Sequence, residues 1–320
     1  MNTSAAQHPH VSVVVPARNE EQHIAGCVRS ILEQEIDGGV EVIVADGRSA
    51  DRTSELASAA GATVVANPAG TTPAGLNAAL EHARGDVVVR FDAHAEMPPG
   101  YLAACVGSLD GDRARPLCVG GWRRVAARGP WGRATAAALA SRFGVGNPRL
   151  WRPPQPTERP VEVDTVALGA WFADDLRALG GWNERYLRNQ DFELNHRLRK
   201  GGGRVVFDPR VWSIYRPRET PAAIARQYWD YGQFKALMLA EQPRSLRPRQ
   251  LAPIGLLATL LAATRFTPAR AVLGVYGLTL AAVSARSGAG WRTAAALATM
   301  HLTWGAGLVV GFAQYAARRR

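Results

Sequence analysis

The 320-residue sequence predicts an α/β protein, a doubly wound parallel sheet followed by a helical apolar tail. Three observations predict it. Short β-branched runs alternate with helical periodicity from Val11 to about Val125. Three of those runs end in acidic clusters, at the strand ends where parallel sheets bind ligands. After Gln250 the composition turns apolar.

The elements follow in order. Val11–Val15 reads as a strand running into Pro16-Ala17-Arg18-Asn19-Glu20-Glu21. Ile24, Val28, Ile31 and Leu32 then recur at helix spacing. Glu41–Ala45 is a strand running into Asp46-Gly47-Arg48-Ser49-Ala50-Asp51. Ser49 or Asp51 is the expected cap of the next helix, which shows Leu56, Ala57 and Ala60 on one face. Ala62–Val65 is a short strand. Pro73 fits the first turn of a helix with Leu76, Leu80 and Ala83 inward. Asp86–Phe91 is a strand running into Asp92-Ala93-His94-Ala95-Glu96.

Residues 126–160 predict a long connection around a helix at Arg133–Ser141, broken by Pro153-Pro154-Gln155-Pro156. Val163–Leu168 is expected to be a strand. Asp174 or Asp175 then caps a short helix that Gly180-Gly181 ends. A further helix covers Gln190–Lys200, three glycines stop it, and Arg204–Phe207 returns to the sheet.

In the tail, Leu251–Thr264, Ala271–Ala285 and Thr293–Ala317 are apolar. A bilayer span takes about 20 apolar residues, so two or three membrane-associated spans are expected. A buried helical bundle in a soluble protein is the alternative. Against it, the last segment has no polar face. The expected organisation is a disordered leader at 1–10, an α/β domain at 11–240 and membrane helices at 241–320.

The formal charge is +11 and the isoelectric point is near 10.4. Such a balance raises nucleic acid as a partner. No basic stripe interleaved with aromatics supports that, and much of the arginine falls late, around apolar segments. The expected partner is therefore a membrane and not nucleic acid. Cys27, Cys105 and Cys118 are scattered, as small buried hydrophobes in a reducing compartment would be. No signal peptide is visible at the start, where His8 and His10 belong to a polar leader.

The chemistry is expected at the acidic strand ends. Asp46 can accept from a base N–H or a ribose hydroxyl, with Gly47 letting the backbone turn close to a ligand. Asp92 and His94, two apart on an extended segment, point the same way and suit a divalent cation, Mn²⁺ or Mg²⁺, with a diphosphate. Glu96 is a reserve carboxylate. Asp191, opening the Gln190–Lys200 helix, is placed to be a general base and also suits a helix cap. Glu193 points elsewhere. No phosphate-loop, dinucleotide or GxSxG signature occurs.

These motifs resemble the family 2 glycosyltransferases and their GT-A nucleotide-sugar fold. "VSVVVPARNEE" is similar to the family's opening strand, and "EVIVADGRSADRT" to its "VVDDGSTDGT" segment. "GLNAALEHARGDVVVRFDAHAEMPPGYL" resembles the stretch leading through the DxD motif. "GAWFADDLRALGGWNERYLRNQDFELNHRLRKGGGRVVFDP" resembles the acceptor-side segment that carries the general-base motif. The likeness spans roughly residues 11–215. The DAH variant, the Asn77 segment and "RQYWDYG" particularly resemble succinoglycan-type glucosyltransferases of exopolysaccharide synthesis.

The resemblance implies an inverting transfer from a nucleotide diphosphate sugar to a hydroxyl of a lipid-linked saccharide, at the cytoplasmic face of the inner membrane. It implies that Pro16, Glu20, Asp46 and Asp92 bind the donor, and that Asp191 is the base. Gln227, Tyr228 and Trp229, after Arg226, are expected near the diphosphate or the acceptor, or else on a helix docked at the membrane. Two positions depart from the family pattern. His94 stands where a metal-binding Asp is usual, and Gln190 where Glu precedes the base. The histidine that often completes the metal site in GT-A enzymes has no clear counterpart, and Tyr215 lies near where it would fall. A polyprenyl-phosphate acceptor, and a catalytically inactive nucleotide-sugar-binding subunit, are the alternative readings.

Overall fold

The computed structural model describes residues 10–111, 117–146, 148–155 and 157–317. Residues 1–9 of the expected leader, His8 among them, and Arg318–Arg320 lie outside the described residues.

The chain begins as the sequence predicts. β1 (Val11–Ala17) and β2 (Val40–Asp46) are parallel neighbours, joined through α1 (Ile24–Leu32). α2 (Thr53–Ala59) leads to β3 (Thr63–Ala66), which pairs with the outer side of β2. α3 (Thr72–His82), with Pro73 in its first turn, crosses back to β4 (Val87–Arg90) on the other side of β1. The order of strands therefore reverses between β1 and β4. The crevice beyond their carboxyl ends is the topological switch point, where open α/β sheets bind ligands.

Pro16 illustrates the local logic. β4 pairs with β1 only as far as Val14, so the missing N–H of Pro16 falls where β1 has lost that neighbour. β1 is buried along its length except at Pro16, which is half-buried.

The sheet continues with antiparallel strands. α4 (Tyr101–Asp110) precedes β5 (Leu117–Val125), and β6 (Val161–Glu162) precedes β7 (Ala170–Phe172). α6 (after α5, Gly129–Ala140) covers Ala173–Ala178, α7 covers Gln190–Lys200 and β8 covers Arg204–Tyr215. The eight-stranded order is β3-β2-β1-β4-β7-β5-β8-β6. β5 and β8 approach so closely that a Cβ on Gly121 would overlap the Val211 carbonyl. Asp208 in β8 is fully buried. Burial works against its charge, but hydrogen bonds from Arg210 and Ser108 hold its carboxyl below the usual range.

Four local expectations are corrected. Val163–Leu168 is not a strand. Asn195 Nδ2 donates to Val166 O and to Thr165 Oγ1, each at 2.9 Å, and Leu168 adopts a φ of 54°, outside any strand conformation. Asp174 and Asp175 do not cap α6. They lie inside its first turn, favourable to the helix dipole, after Phe172 at the cap position. Neither Ser49 nor Asp51 is the cap of α2, which is Arg52; Ser49 Oγ instead accepts from Asn19 N at 2.9 Å. The helix expected from Arg133 begins earlier, at Gly129, because Pro130 suits a first turn.

The chain forms two compact units. One holds the described residues of Met1–Arg124 with Pro153–Ile214, and the other Val125–Arg152 with Tyr215–Arg320. The first contains the sheet core. The second contains α5, α8 (Pro221–Glu241), α9 (Ala252–Ala262), α10 (Thr267–Arg286) and α11 (Trp291–Ala317). Its core gathers Ala138, Leu139, Ile224, Tyr228, Leu297 and Met300, among others. α10 and α11 are long and apolar enough to cross a membrane.

Candidate active site

Two loops meet at the switch point, and their own side chains tie them together. Asn19 Oδ1 accepts from Ala50 N at 2.9 Å, and Thr53 Oγ1 accepts from Glu20 N at 2.8 Å. Asp51 Oδ2 accepts from Glu21 N at 3.2 Å. The non-glycine residues with positive φ are Asn19, Arg48, Leu168 and Asn189, among the described residues. Asn19 and Arg48 lie in these two loops, and Asn189 immediately precedes α7. Left-handed backbone at such residues costs free energy and collects where geometry is enforced.

Asp46 ends β2 in the first loop pair. One carboxylate oxygen, Oδ2, accepts from Ser49 N at 3.2 Å. The other, Oδ1, is buried with no hydrogen-bond partner. A buried acceptor left unmatched costs about 1–3 kcal/mol, so it suits a ligand donor such as a base N–H or ribose hydroxyl. Gly47 must stay small, since a Cβ there would meet Ala17 O at 3.2 Å. Pro16 lies under the start of α3, where a Cβ on Gly75 would sit 3.3 Å from its ring.

At the end of β4 the structure brings together what the sequence holds a hundred residues apart. Asp92 Oδ1 lies 3.1 Å from Arg90 Nη2. Arg90 Nη1 is in turn ion-paired with Asp191 Oδ1, from the first turn of α7. One buried guanidinium thus holds both carboxylates. Burial opposes the charge on Asp92, but Arg90, Arg123 and His94 bring its pKa below the ordinary value. The paired carboxylates in turn raise Arg90 further, against its own burial.

His94 does not continue an extended strand. Ala95 N donates to Asp92 O at 3.0 Å, closing a turn over Ala93 and His94. His94 and Asp92 therefore do not share one face of a strand. The ring instead turns to Glu20, with Nδ1 at 3.2 Å from Oε1. That contact crosses the switch point from the β4 loop to the β1 loop. The thiol of Cys27 reports the same convergence: burial first, then the charges of Asp92, Glu20 and Glu96, push its pKa up to about 12.

A divalent cation fits this donor set only in part. Among the described residues no three His, Cys, Asp or Glu side chains form a metal-holding group. Asp92 and His94 offer two ligands in a region of converging negative charge. Cations bound with a diphosphate commonly take one or two protein ligands and complete their shell from phosphate and water.

The acceptor-side segment is braced from below. Asn77 Nδ2 donates to Trp182 O at 2.8 Å and Trp182 N donates to Asn77 Oδ1 at 2.8 Å. Glu193 is buried against Arg197, whose Nη2 also reaches Gly181 O at 3.0 Å. Glu193 is thus a brace and Asp191 the residue that reaches the site. Asn189, with a φ of 61°, is the cap residue of α7; Asp191 and Gln190 follow it. The cap role weighed for Asp191 falls to Asn189.

The remaining expected residues belong to the helical unit. Tyr228 is buried in its core and packs edge-on against Tyr231. Gln227 Nε2 donates to Tyr231 Oη at 3.0 Å and to Tyr215 Oη at 3.3 Å. Trp229 lends its backbone to the α8–α11 contact, where it faces Gly307. Tyr228 has a packing role there.

The switch-point crevice, with an unmatched carboxylate at the end of β2 and a second carboxylate in the first turn of α7, lies in a mixed α/β sheet of the GT-A glycosyltransferase class. Residues 12–169 match the Glycosyl transferase family 2 model, so the chain carries a domain of that family and is a glycosyltransferase. It is 28% identical to the succinoglycan biosynthesis protein ExoA of Rhizobium meliloti (strain 1021), over 92% of each chain. It is 22% identical to a dolichyl N-acetyl-alpha-D-glucosaminyl phosphate 3-beta-D-2,3-diacetamido-2,3-dideoxy-beta-D-glucuronosyltransferase of Methanococcus voltae, over 72% of this chain and 74% of the other. In fold it is similar to the Pyrobaculum calidifontis mannosyltransferase PcManGT in complex with GDP-Man and Mn²⁺, with a TM-score of 0.60 and 23% identity. That likeness covers 92% of this chain and 88% of the mannosyltransferase.

Sequence reasoning missed Arg90. The signal was available: an arginine closing an apolar strand needs a buried partner. Its partner on α7 could not be read from spacing.

Proposed function

We propose that the protein is an inverting glycosyltransferase that moves a sugar from a nucleotide diphosphate sugar to a hydroxyl of a lipid-linked saccharide, in building a cell-surface polysaccharide. The observation that carries the reading is the placement of Asp191 beside Asp92, an acceptor-side carboxylate next to a donor-side one. The names of two relatives support the substrate class, one a succinoglycan biosynthesis protein and the other specifying a dolichyl-linked sugar phosphate.

In this reading Asp46 takes a donor hydrogen from the base or ribose, while Pro16 and Glu20 flank the nucleotide. Asp92 and His94 would hold a divalent cation, which would offset charge on the diphosphate leaving group. Asp191 removes the proton from the acceptor hydroxyl. The acceptor oxygen forms its bond to the anomeric carbon as the bond to the diphosphate breaks, and the electron pair departs with the nucleoside diphosphate. Attack from the face opposite the leaving group inverts the centre. A lipid-phosphate acceptor is already anionic and needs no such base.

The site faces the cytoplasm, where nucleotide sugars are made, and the helical unit holds it at the inner membrane. Exposed apolar side chains on α10, with Val272, Val275 and Leu278 each more than half open, support burial in lipid. The helical unit also holds half of the chain's 38 basic residues but only Glu219, Asp230 and Glu241 of its 27 acidic ones. That balance suits an anionic membrane surface.

The test is Asp191→Asn in the purified protein. Transfer to extracted lipid-linked saccharide should fall by about 10²–10⁴, with nucleotide binding nearly unchanged. Turnover within a factor of a few of wild type would remove Asp191 as base and favour the lipid-phosphate acceptor.

A further inference from the structure

Arg90 touches both carboxylates of the crevice. It closes β4, its side chain is 7% exposed, and Asp92 and Asp191 lie on either side of it. In the proposed reading Asp92, just after β4, belongs to the donor side and Asp191, in α7, to the acceptor side. We propose that Arg90 is a positioning residue. It fixes the Asp191 carboxylate relative to the donor-binding Asp92, and so sets where the acceptor hydroxyl is deprotonated relative to the anomeric carbon. The inference rests on the reading of Asp191 as general base.

Three features carry it. First, geometry: a guanidinium is a rigid planar fork that can hold two carboxylates at once in a fixed relation, and an ammonium is a single point charge that cannot. Second, burial: Asp191 Oδ1 is buried in an ion pair with Arg90 Nη1, while the side chain as a whole stays 16% exposed. One carboxylate oxygen is spent on orientation, which leaves the other for the acceptor. Third, local structure: Asp191 enters α7 behind the left-handed Asn189, and Arg197 and Asn77 brace the Gly181-Trp182 segment that leads into it. The backbone is thereby set, and Arg90 is what remains to set the side chain. Arg90 itself is too enclosed to meet the acceptor, so its effect passes through Asp191. Small misplacements of a reacting group cost rate steeply.

The test is a double-mutant cycle on transfer kinetics. Arg90→Lys should lower kcat by about 10–100-fold, while any rise in donor KM reports its separate contact with Asp92. In the Asp191→Asn background the same change should cost less than about threefold, because the group it positions is gone. Equal losses in both backgrounds would overturn the proposal and leave Arg90 a structural residue. Should Arg90→Lys fail to fold, Asp191→Glu tests the same idea without touching the arginine. It keeps a base but moves it by one methylene, so kcat should fall at least about tenfold with the donor KM held. A fully active Asp191→Glu enzyme would also overturn the proposal. If Asp191→Asn itself keeps wild-type turnover, the general-base reading fails and this inference falls with it. If Asp191→Asn is inactive and Arg90→Lys is normal, the positioning role alone fails.

Discussion

If His94 is a ligand in the proposed cation site, its chemistry sets which metal the site prefers. His94 stands where a carboxylate would make the position a hard oxygen site. Imidazole suits later first-row cations better than Mg²⁺, so Mn²⁺ should support faster transfer than Mg²⁺. Chelator should abolish activity, and His94→Asp should shift the preference toward Mg²⁺. Full activity in excess chelator would remove the cation from the reaction; a clear Mg²⁺ preference in wild type would remove His94 as its ligand. The ring is drawn toward Glu20 across the crevice, so Glu20→Gln should weaken metal affinity by loosening that orientation. These residues were legible in the sequence because each stands at a strand end, where topology sends ligands. The turn at Ala93-His94 was not legible. It depends on Asp92 O closing onto Ala95 N, and a strand pattern carries no sign of where the strand stops. Arg90 was hidden for a different reason: its meaning lies in a partner on α7, brought near only by the antiparallel return of the chain.

Among the elements, α8 and α11 show what the small residues of the tail are for. A Cβ on Gly307 would overlap the backbone of Trp229, and one on Gly311 would meet Ala236 Cβ at 2.7 Å. Two helices lie so close here that only glycine fits. On α10, Gly274 and Gly277 have open space around them. Gly307→Val should therefore destabilise the protein by about 1–3 kcal/mol or more, seen as a lower melting temperature in detergent. Gly274→Val should be close to neutral. Equal effects at both positions would mean the α8–α11 contact is not held as described. The strand–helix alternation up to β4 was readable because each run carries its own period. The β6–β7 region was not: Ala170–Phe172 is a three-residue strand, too short for any alternation to appear, and Leu168 turns the chain just before it. α11 was readable as one long apolar helix, but its packing face was not, since glycines leave no hydrophobic pattern.

For the whole molecule the question is how the tail meets the bilayer. α10 has 20 residues and α11 has 27, about 30 and 40 Å of helix, so each is long enough to span. Ser287–Gly290 joins them, with Gly288 and Gly290 at positive φ, as a tight hairpin requires. α9, with 11 residues, is too short and suits the interface. Arg244, Arg247 and Arg249 precede α9, and Arg265 and Arg270 follow it, so in the proposed arrangement the positive-inside rule would keep this end cytoplasmic. In the two-span arrangement the hairpin would return the arginines at 318–320 to the cytoplasm. Two features pull the other way. Arg286 and Arg292 flank the hairpin and would be outside, and α11 is more protein-covered than α10, with 39% of its apolar window buried against 11%. A helix lying in the interface beside α8 would show the same coverage. Two reporters separate these arrangements. With two spans, alkaline phosphatase inserted at Ala289 is active and the same enzyme fused after Arg320 is not. Activity at both sites forces an odd number of crossings. Activity at neither means the hairpin never crosses, and the helical unit then holds the enzyme to the cytoplasmic surface by its exposed apolar side chains and its arginines.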